Sequence, residues 1–192
     1  MNEPLTDGRR IKGEQRKREL IEATIRVVAR DGVAGVSHRT VSKEAGQPAT
    51  AAAYYFRTID DLLTAALTSC MDEDAERMRR LADVDDPEEG LRALAELMCQ
   101  VVAAPAHLLA EYELYLLAAR RPELREPTRR WLAAVERFGR RHTDDPVRLR
   151  VLAGTIDGAL MQALLTDTPP GRPEWEEILR AILLTPGPET RR

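Results

Sequence analysis

Cysteine is scarce in this 192-residue chain, and histidine is nearly as rare. The two cysteines, Cys70 and Cys99, lie far apart and form no CxxC pair, which favours buried thiols over a disulfide or a metal site. The three histidines, His38, His107 and His142, show no metal-ligand spacing. We therefore expect the protein to use no metal and no cofactor.

Long apolar runs are also missing: the sequence contains no stretch of about 18 apolar residues, which predicts a protein without a membrane span. The N-terminal residues MNEPLTDGRR include no apolar segment after a positive charge, so we expect no secretory signal and a cytoplasmic location. Patterns of the GxSxG, HExxH, P-loop and dinucleotide-binding types are absent as well. These absences predict that the chain is not an enzyme.

Charge is distributed unevenly along a chain whose net charge is −3. Residues 1–56 contain 10 lysines and arginines against 7 acids, whereas residues 57–192 contain 19 against 25. The first segment is therefore suited to meet phosphate groups while the second keeps the protein soluble. An excess of this size is also common on solvated helix faces.

Helical periodicity dominates the sequence, and no sustained alternation of polar and apolar residues predicts a strand. Ile21, Ile25 and Val28 share one helix face, and Asp31-Gly32 provides a stop. Prolines and capping residues divide the rest, so the sequence predicts an all-α fold of about nine helices. The first three are predicted at about residues 14–31, 37–45 and 48–55.

Two short helices on either side of Gly46 have the arrangement of a helix-turn-helix, whose second helix enters the major groove of DNA. Spacing alone favours an ordinary helical hairpin, but the residue types favour DNA binding. Ser37 is expected to present free backbone N–H groups to a phosphate at the start of helix two, with Arg39 adding charge.

The predicted third helix carries small side chains, which allow its backbone to approach a groove closely. Thr50 is expected to bond a base edge or touch a thymine methyl, and Gln47 to pair with adenine. Tyr54 and Tyr55 are expected to donate to phosphates, with half-buried core packing as the alternative. The predicted DNA-contacting residues are Ser37, His38, Arg39, Thr40, Gln47, Pro48, Ala49, Thr50, Ala51, Tyr54, Tyr55 and Arg57. A basic leader either follows the DNA backbone or minor groove or is a disordered, solvated tail; its residues are Arg9, Arg10, Lys12, Arg16, Lys17 and Arg18.

Residues 32–63 closely resemble the DNA-binding segment of TetR-family regulators. The matching residues are Ser37, Arg39, Val41, Ala45, Gly46, Tyr54, Phe56, Asp61 and Leu62. Two residues depart from the family pattern: Ala53 replaces the first tyrosine of the usual pair, and Ile59 replaces a frequent lysine, whose phosphate contact Arg57 is placed to supply. The resemblance implies a helix-turn-helix DNA-binding domain, here residues 1–57, followed by a ligand-binding and dimerisation domain, residues 58–192.

The predicted eighth helix, from Pro146 to about Thr166, is apolar on two sides, so both sides need to be buried. Gly154 and Gly158, four residues apart, allow another helix to approach closely. We predict a homodimer in which helices eight and nine form a four-helix interface, which the resemblance also implies; a central helix in a monomeric bundle is the alternative. The predicted interface residues are Val151, Gly154, Gly158, Met161, Leu165, Trp175, Ile178 and Ile182.

Helices four to eight carry methionine and aromatic residues that suit an adaptable pocket for a small, largely apolar ligand. The predicted lining residues are Met98, His107, Glu111, Tyr112, Tyr115, Trp131, Phe138 and Gln162, and plain core packing fits each of them too. The sequence thus predicts a TetR-like repressor that binds a near-palindromic double-stranded operator as a homodimer. Ligand would release it by shifting the population of two bundle geometries. A ligand-binding bundle with a degenerate DNA-binding head and an activator are the alternatives.

Overall fold

The computed structural model describes residues 4–184, with the side chains of all but residues 4–7, 9 and 123. Over that range the chain forms nine α-helices and no strand, which confirms the predicted all-α class. The helices are α1 (Pro4–Asp31), α2 (His38–Glu44), α3 (Ala51–Tyr55), α4 (Ile59–Ala82), α5 (Pro87–Val102), α6 (Pro105–Arg120), α7 (Arg125–Gly139), α8 (Pro146–Ala163) and α9 (Arg172–Leu183). Short 3₁₀ turns lie at Val33–Gly35 and Pro122–Leu124.

Capping side chains begin two helices where the sequence predicts them. The Ser37 hydroxyl accepts a hydrogen bond of 3.1 Å from the Thr40 N–H and starts α2. The Thr58 N–H donates to the Asp61 carboxylate at 2.8 Å, and the Asp61 N–H donates to the Thr58 hydroxyl at 3.1 Å. This reciprocal pair satisfies backbone donors that the first turn of α4 would otherwise leave unpaired.

Two other helix starts differ from the prediction. Helix α1 begins at Pro4 rather than near residue 14, because proline suits the first turn of a helix and no proline interrupts residues 5–13; the leader is therefore helical rather than a disordered tail. Helix α3 begins at Ala51 rather than at Pro48, because the Ala51 N–H bonds to the Pro48 carbonyl at 2.8 Å in a turn ahead of the helix. The bend after α2 depends on Gly46, whose φ of 64° costs glycine little.

The chain divides into two compact units. The first contains α1, α2, α3, the part of α4 up to residue 70, and residues 106–125, which include nearly all of α6. The second contains the remaining part of α4, α5, and everything after residue 125. The functional boundary after residue 57 stays a prediction.

In the first unit, α1, α2 and α3 pack on one another around a small core. Leu20 and Val27 of α1, Val41 of α2 and Ala52 of α3 are fully buried. Phe56, which follows α3, is also buried and lies under the ammonium group of Lys17 at 5.8 Å from the ring centre. This core fixes the positions of the two short helices.

In the second unit, α5, α8 and α9 pack on one another. Trp131, Val135 and Phe138 of α7 are buried on one helix face, as the sequence predicts. Among residues 4–184, no single helix is long and apolar enough to cross a membrane; the interrupted pair of α5 and α6 reaches that length and composition only when taken together. No group of three or more potential metal ligands occurs within the same range.

Candidate functional site

A buried hydrogen bond holds α3 on α2. The Ser42 hydroxyl accepts from the Ala52 N–H at 3.0 Å, and both residues are fully buried. Helix α3 has only five residues, too few to be stable alone, so it depends on contacts of this kind. Ser42 is not among the residues predicted from the sequence, although a small hydroxyl beside the core residue Val41 is a signal that it faces the next helix.

Gln47 joins the turn before α3 to α1. Its side-chain amide donates to the Arg16 carbonyl at 3.1 Å and to the Glu19 carboxylate at 2.9 Å. The predicted pairing of Gln47 with adenine is therefore wrong for this conformation, because both amide hydrogens are used within the protein. The residue positions the turn instead of reading a base.

The hydroxyls at the start of α2 are likewise used inside the protein. Thr40 donates to the Gly35 carbonyl at 2.9 Å and accepts from the Ser37 N–H at 2.9 Å. The Thr40 side chain, predicted as a DNA contact beside Ser37 and Arg39, therefore secures the turn before α2, and its hydroxyl hydrogen is used within the protein. His38 is half-buried, and its Nε2 has no hydrogen-bond partner among the described residues.

The remaining predicted DNA contacts lie on the surface of the first unit. The exposed ones are Arg39, Pro48, Ala49, Thr50, Tyr54 and Arg57. Tyr54 is 82% exposed and stacks edge-on against the half-buried Tyr55, with 5.0 Å between ring centres. Ala51 is half-buried, and Thr50 begins α3 without a capping bond from its side chain. The structure thus brings small side chains and an exposed phenol together on one short helix and the turn before it.

Some of the positively charged side chains beside α2 form ion pairs within the protein, and others do not. Glu44 binds Arg26 at 2.9 Å and Arg30 at 2.8 Å, which locks α2 against α1. Hydrogen bonds from Arg30 and then Arg26 hold the pKa of the Glu44 carboxyl below its usual range. Arg39 and Lys43, by contrast, are exposed and form no ion pair within residues 4–184. Their charges remain available to an anionic partner.

A carboxylate from α6 holds the corner between α1 and α2. Glu113 accepts a hydrogen bond of 2.9 Å from the Val33 N–H. The neighbouring Gly32 has a φ of 71°, and a Cβ there would lie 3.3 Å from a carboxylate oxygen of Glu113. Arg121, just after α6, also pairs with Asp60 at the start of α4. Glu113 is not among the residues predicted from the sequence, where its only signal is a carboxylate between Tyr112 and Leu114, which are both buried.

One face of α8 is apolar and open. Val151 is 47% exposed, Met161 42% and Leu165 85%, while a Cβ added at Gly154 or Gly158 would meet nothing within 4 Å. The half-buried Asp157 lies at the edge of this face, where burial raises its pKa to about 6.

The predicted interface residues on α9 are less accessible than those on α8. Ile178 and Ile182 are half-buried. Trp175 is 1% exposed, so its predicted interface role is wrong: its ring is already packed within its own protomer.

The predicted ligand residues fall in both units. His107, Glu111 and Tyr115 are half-buried and Tyr112 is buried in the first unit, and Gln162 is exposed in the second. Met98, Trp131 and Phe138 are buried in the second unit, where Phe138 lies 3.7 Å from the Cβ position of Gly90. Their part in ligand binding stays a prediction. A separate groove of about 320 Å³ is lined by Leu132, Glu136, Arg140, Pro146, Leu149, Arg150 and Ala153.

Comparison with known proteins agrees with this architecture. Residues 85–185 match the family described as the tetracyclin repressor-like C-terminal domain. The nicotine-responsive transcriptional repressor HdnoR of Paenarthrobacter nicotinovorans is 33% identical over 118 residues, which is 59% of each protein. The curated relatives are thus matched over about three-fifths of their length or less.

Solved structures extend the likeness to most of the chain. The TetR-family member SCO1917 of Streptomyces coelicolor A3 is 37% identical, with a TM-score of 0.76 over 88% of this chain and 99% of that one. The multidrug binding protein EbrR, complexed with imidazole, is 37% identical, with a TM-score of 0.70 over 92% of this chain and 93% of that one. Together with the helix-turn-helix geometry, these matches establish that the chain belongs to the TetR family of transcriptional regulators.

Proposed function

We propose that this protein is a ligand-responsive repressor that binds a near-palindromic operator in double-stranded DNA as a homodimer. One observation carries the proposal: α3 and the turn before it are held by buried or tertiary hydrogen bonds from Ser42 and Gln47, while small side chains remain exposed. A rigid, small-sided helix on the surface suits close approach to the floor of a major groove.

In this proposal the residues that read the bases run from Pro48 to Ala51, and we call this segment the reader. The Thr50 hydroxyl, which makes no capping bond, is the group placed to bond a base edge. So short a reader makes few such contacts, each worth about 1–3 kcal/mol. Two readers, set about 34 Å apart on successive grooves, supply the affinity that one lacks.

Phosphate binding falls to groups around the reader. Arg39 contributes an unpaired guanidinium, and the exposed Tyr54 contributes a hydroxyl donor. Arg57 is exposed just after α3, whereas the Nε2 atom of His38 at the start of α2 is buried and does not reach a phosphate in this conformation. Contacts of this kind fix the register of a protein on a duplex without selecting a sequence.

The open apolar face of α8 is our proposed dimer interface. Exposed side chains such as Val151, Met161 and Leu165 gain from burial, and the two glycines let the facing helix approach closely. Helix α9 contributes Ile178 and Ile182 at the margin of this interface, without Trp175.

We propose a small aromatic, nitrogen-containing molecule as the ligand class. EbrR has been solved with ethidium, malachite green and proflavin, and HdnoR is named as nicotine-responsive. Helix α6 carries the predicted ligand residues Glu111, Tyr112 and Tyr115 and also holds the Val33 amide through Glu113. A ligand that shifts α6 would therefore shift the corner that orients α2. We propose no catalytic role for the protein. We propose that it acts in the cytoplasm.

Fluorescence anisotropy with a labelled duplex from the region upstream of the protein's own gene tests DNA binding. Arg39→Ala should weaken binding to every duplex and lower the magnitude of the slope of log K against log salt by about 1.8, because each protomer of the dimer loses one phosphate contact. Arg129→Ala is the matched control, since Arg129 is an exposed arginine of the second unit. Failure of the wild-type protein to bind any duplex at low salt would refute the proposal.

Ligand binding is tested on the protein alone by calorimetry with malachite green, because planar dyes also bind duplex DNA directly. A dye that binds should then reduce operator affinity in the wild-type protein. In Glu113→Ala the dye should bind as before but reduce operator affinity less. An equal effect in both proteins would remove Glu113 from the coupling.

A further inference from the structure

The N-terminal part of α1 extends a basic helix face beyond the core of the first unit. Lys12, Arg16, Leu20, Ala23 and Val27 follow one another at spacings of four, four, three and four residues, which is one face of an α-helix. Leu20, Ala23 and Val27 are fully buried against the rest of the unit. Lys12 and Arg16 continue the same stripe but are exposed.

This basic stripe stands beside the proposed reader. The Arg16 carbonyl receives the Gln47 amide at 3.1 Å, directly before the turn into α3. A Cβ at Gly13 would lie 3.7 Å from the Tyr55 hydroxyl, at the other end of α3. Lys12 and Arg16 thus flank the part of α1 that lies beside the turn before α3 and beside the last residue of α3. Helical rise places Pro4 about 13 Å further along the axis than Gly13.

The charges on this stripe are not neutralised by the protein. Neither Lys12 nor Arg16 forms an ion pair among the described residues, and the nearby Glu19 is engaged by the amides of Gln15 and Gln47. The opposite face of α1 differs, because Arg18 lies between Glu14 and Glu22, each one turn away.

We propose that Lys12 and Arg16 form a phosphate-binding surface on α1 that holds the DNA backbone next to the half-site read by α3. This inference rests on the proposed function, because the duplex must already lie against α3. The surface contributes affinity and salt dependence without sequence preference, since a lysine and an arginine on a rigid helix face meet phosphates and no base edge.

The test compares two variants of the full-length dimer by anisotropy between 50 and 200 mM KCl. In K12Q/R16Q the dimer loses four phosphate contacts, two from each protomer, so the slope of log K against log salt should fall in magnitude by about 3.6. The loss of affinity over this range should therefore be about 150-fold smaller than in the wild-type protein. The affinity at 50 mM should fall by the same factor for the upstream duplex and for an unrelated duplex. R18Q, which removes an arginine from the opposite face, should keep the wild-type slope to within half a unit.

Each outcome decides the matter. A wild-type slope in K12Q/R16Q overturns the inference while leaving the proposed function intact. A drop in R18Q as large as that in the double variant also overturns it, because the effect would then come from net charge rather than from one face. Wild-type protein that binds no duplex overturns the proposed function and this inference together. Unchanged circular dichroism and melting temperature in both variants confirm that the fold is intact.

Discussion

Removal of the Ser42 hydroxyl should weaken the attachment of helix α3 to α2. In Ser42→Ala, the Ala52 N–H loses its partner at 3.0 Å and remains in a fully buried position. An unsatisfied buried donor costs about 1–3 kcal/mol, and the better helix propensity of alanine returns about 0.5 kcal/mol. We therefore expect the free energy of unfolding to fall by about 1.5 kcal/mol, which lowers the melting temperature by roughly 3–6 °C.

DNA affinity should fall in the same variant. Helix α3 has only a few backbone hydrogen bonds of its own, so the loss of this bond makes α3 less ordered in the free protein. Part of the free energy of DNA binding is then spent on ordering α3. A binding cost of about 1.4 kcal/mol in each protomer corresponds to a tenfold loss per half-site, so the Kd of the dimer, measured by anisotropy at fixed salt, should weaken about a hundredfold. Thr24→Val is the control: Thr24 is equally buried, but its hydroxyl donates to the Leu20 carbonyl, so valine leaves no donor unpaired. Wild-type affinity in Ser42→Ala would refute the view that this bond positions the reader.

Three further substitutions test other parts of the molecule. Thr50→Ala should relax selectivity at one base position in a selected-site experiment; an unchanged profile would argue against base reading by Thr50. Gly158→Leu should yield a monomer in sedimentation at micromolar concentration while the protomer stays folded, because a side chain there meets open space and glycine is a poor helix former; a persistent dimer would place the interface elsewhere. Asp157→Asn should stabilise the protein to urea at pH 7.5, with a gain that shrinks as the pH falls through 6 towards 3.8. The sign follows because a folded pKa above the unfolded value makes the ionised carboxylate a cost at high pH, and a constant difference across that window would contradict it.

Local signals in the sequence predicted much of the fold. The cap at Ser37 and the Thr58–Asp61 pair act within three residues, and both are present at the expected helix starts. The apolar spacing of α7 likewise predicts its buried face. Such features depend on residues close together in the chain, so a single sequence contains all the information needed to recognise them.

Features that depend on distant partners were not predictable in the same way. The sequence predicts that Gln47 pairs with a base, but its hydrogen-bond partners lie 28 and 31 residues earlier in the chain. Glu113 meets Val33 from 80 residues away, and no local pattern marks the pair. The sequence predicts Trp175 at an interface, because apolar periodicity shows that a helix face is buried without showing what buries it.

The bond between Glu113 and the Val33 amide has a consequence for hybrid regulators. A chimera spliced after residue 57 would inherit its corner from one parent and the carboxylate that grips it from the other. The same splice keeps Asp60 together with Arg121, because both residues follow the junction and come from the same parent. A transferred DNA-binding domain should therefore have a backbone amide where α6 of the recipient protein has an acceptor. Otherwise, residue 113 should be transferred together with the DNA-binding domain.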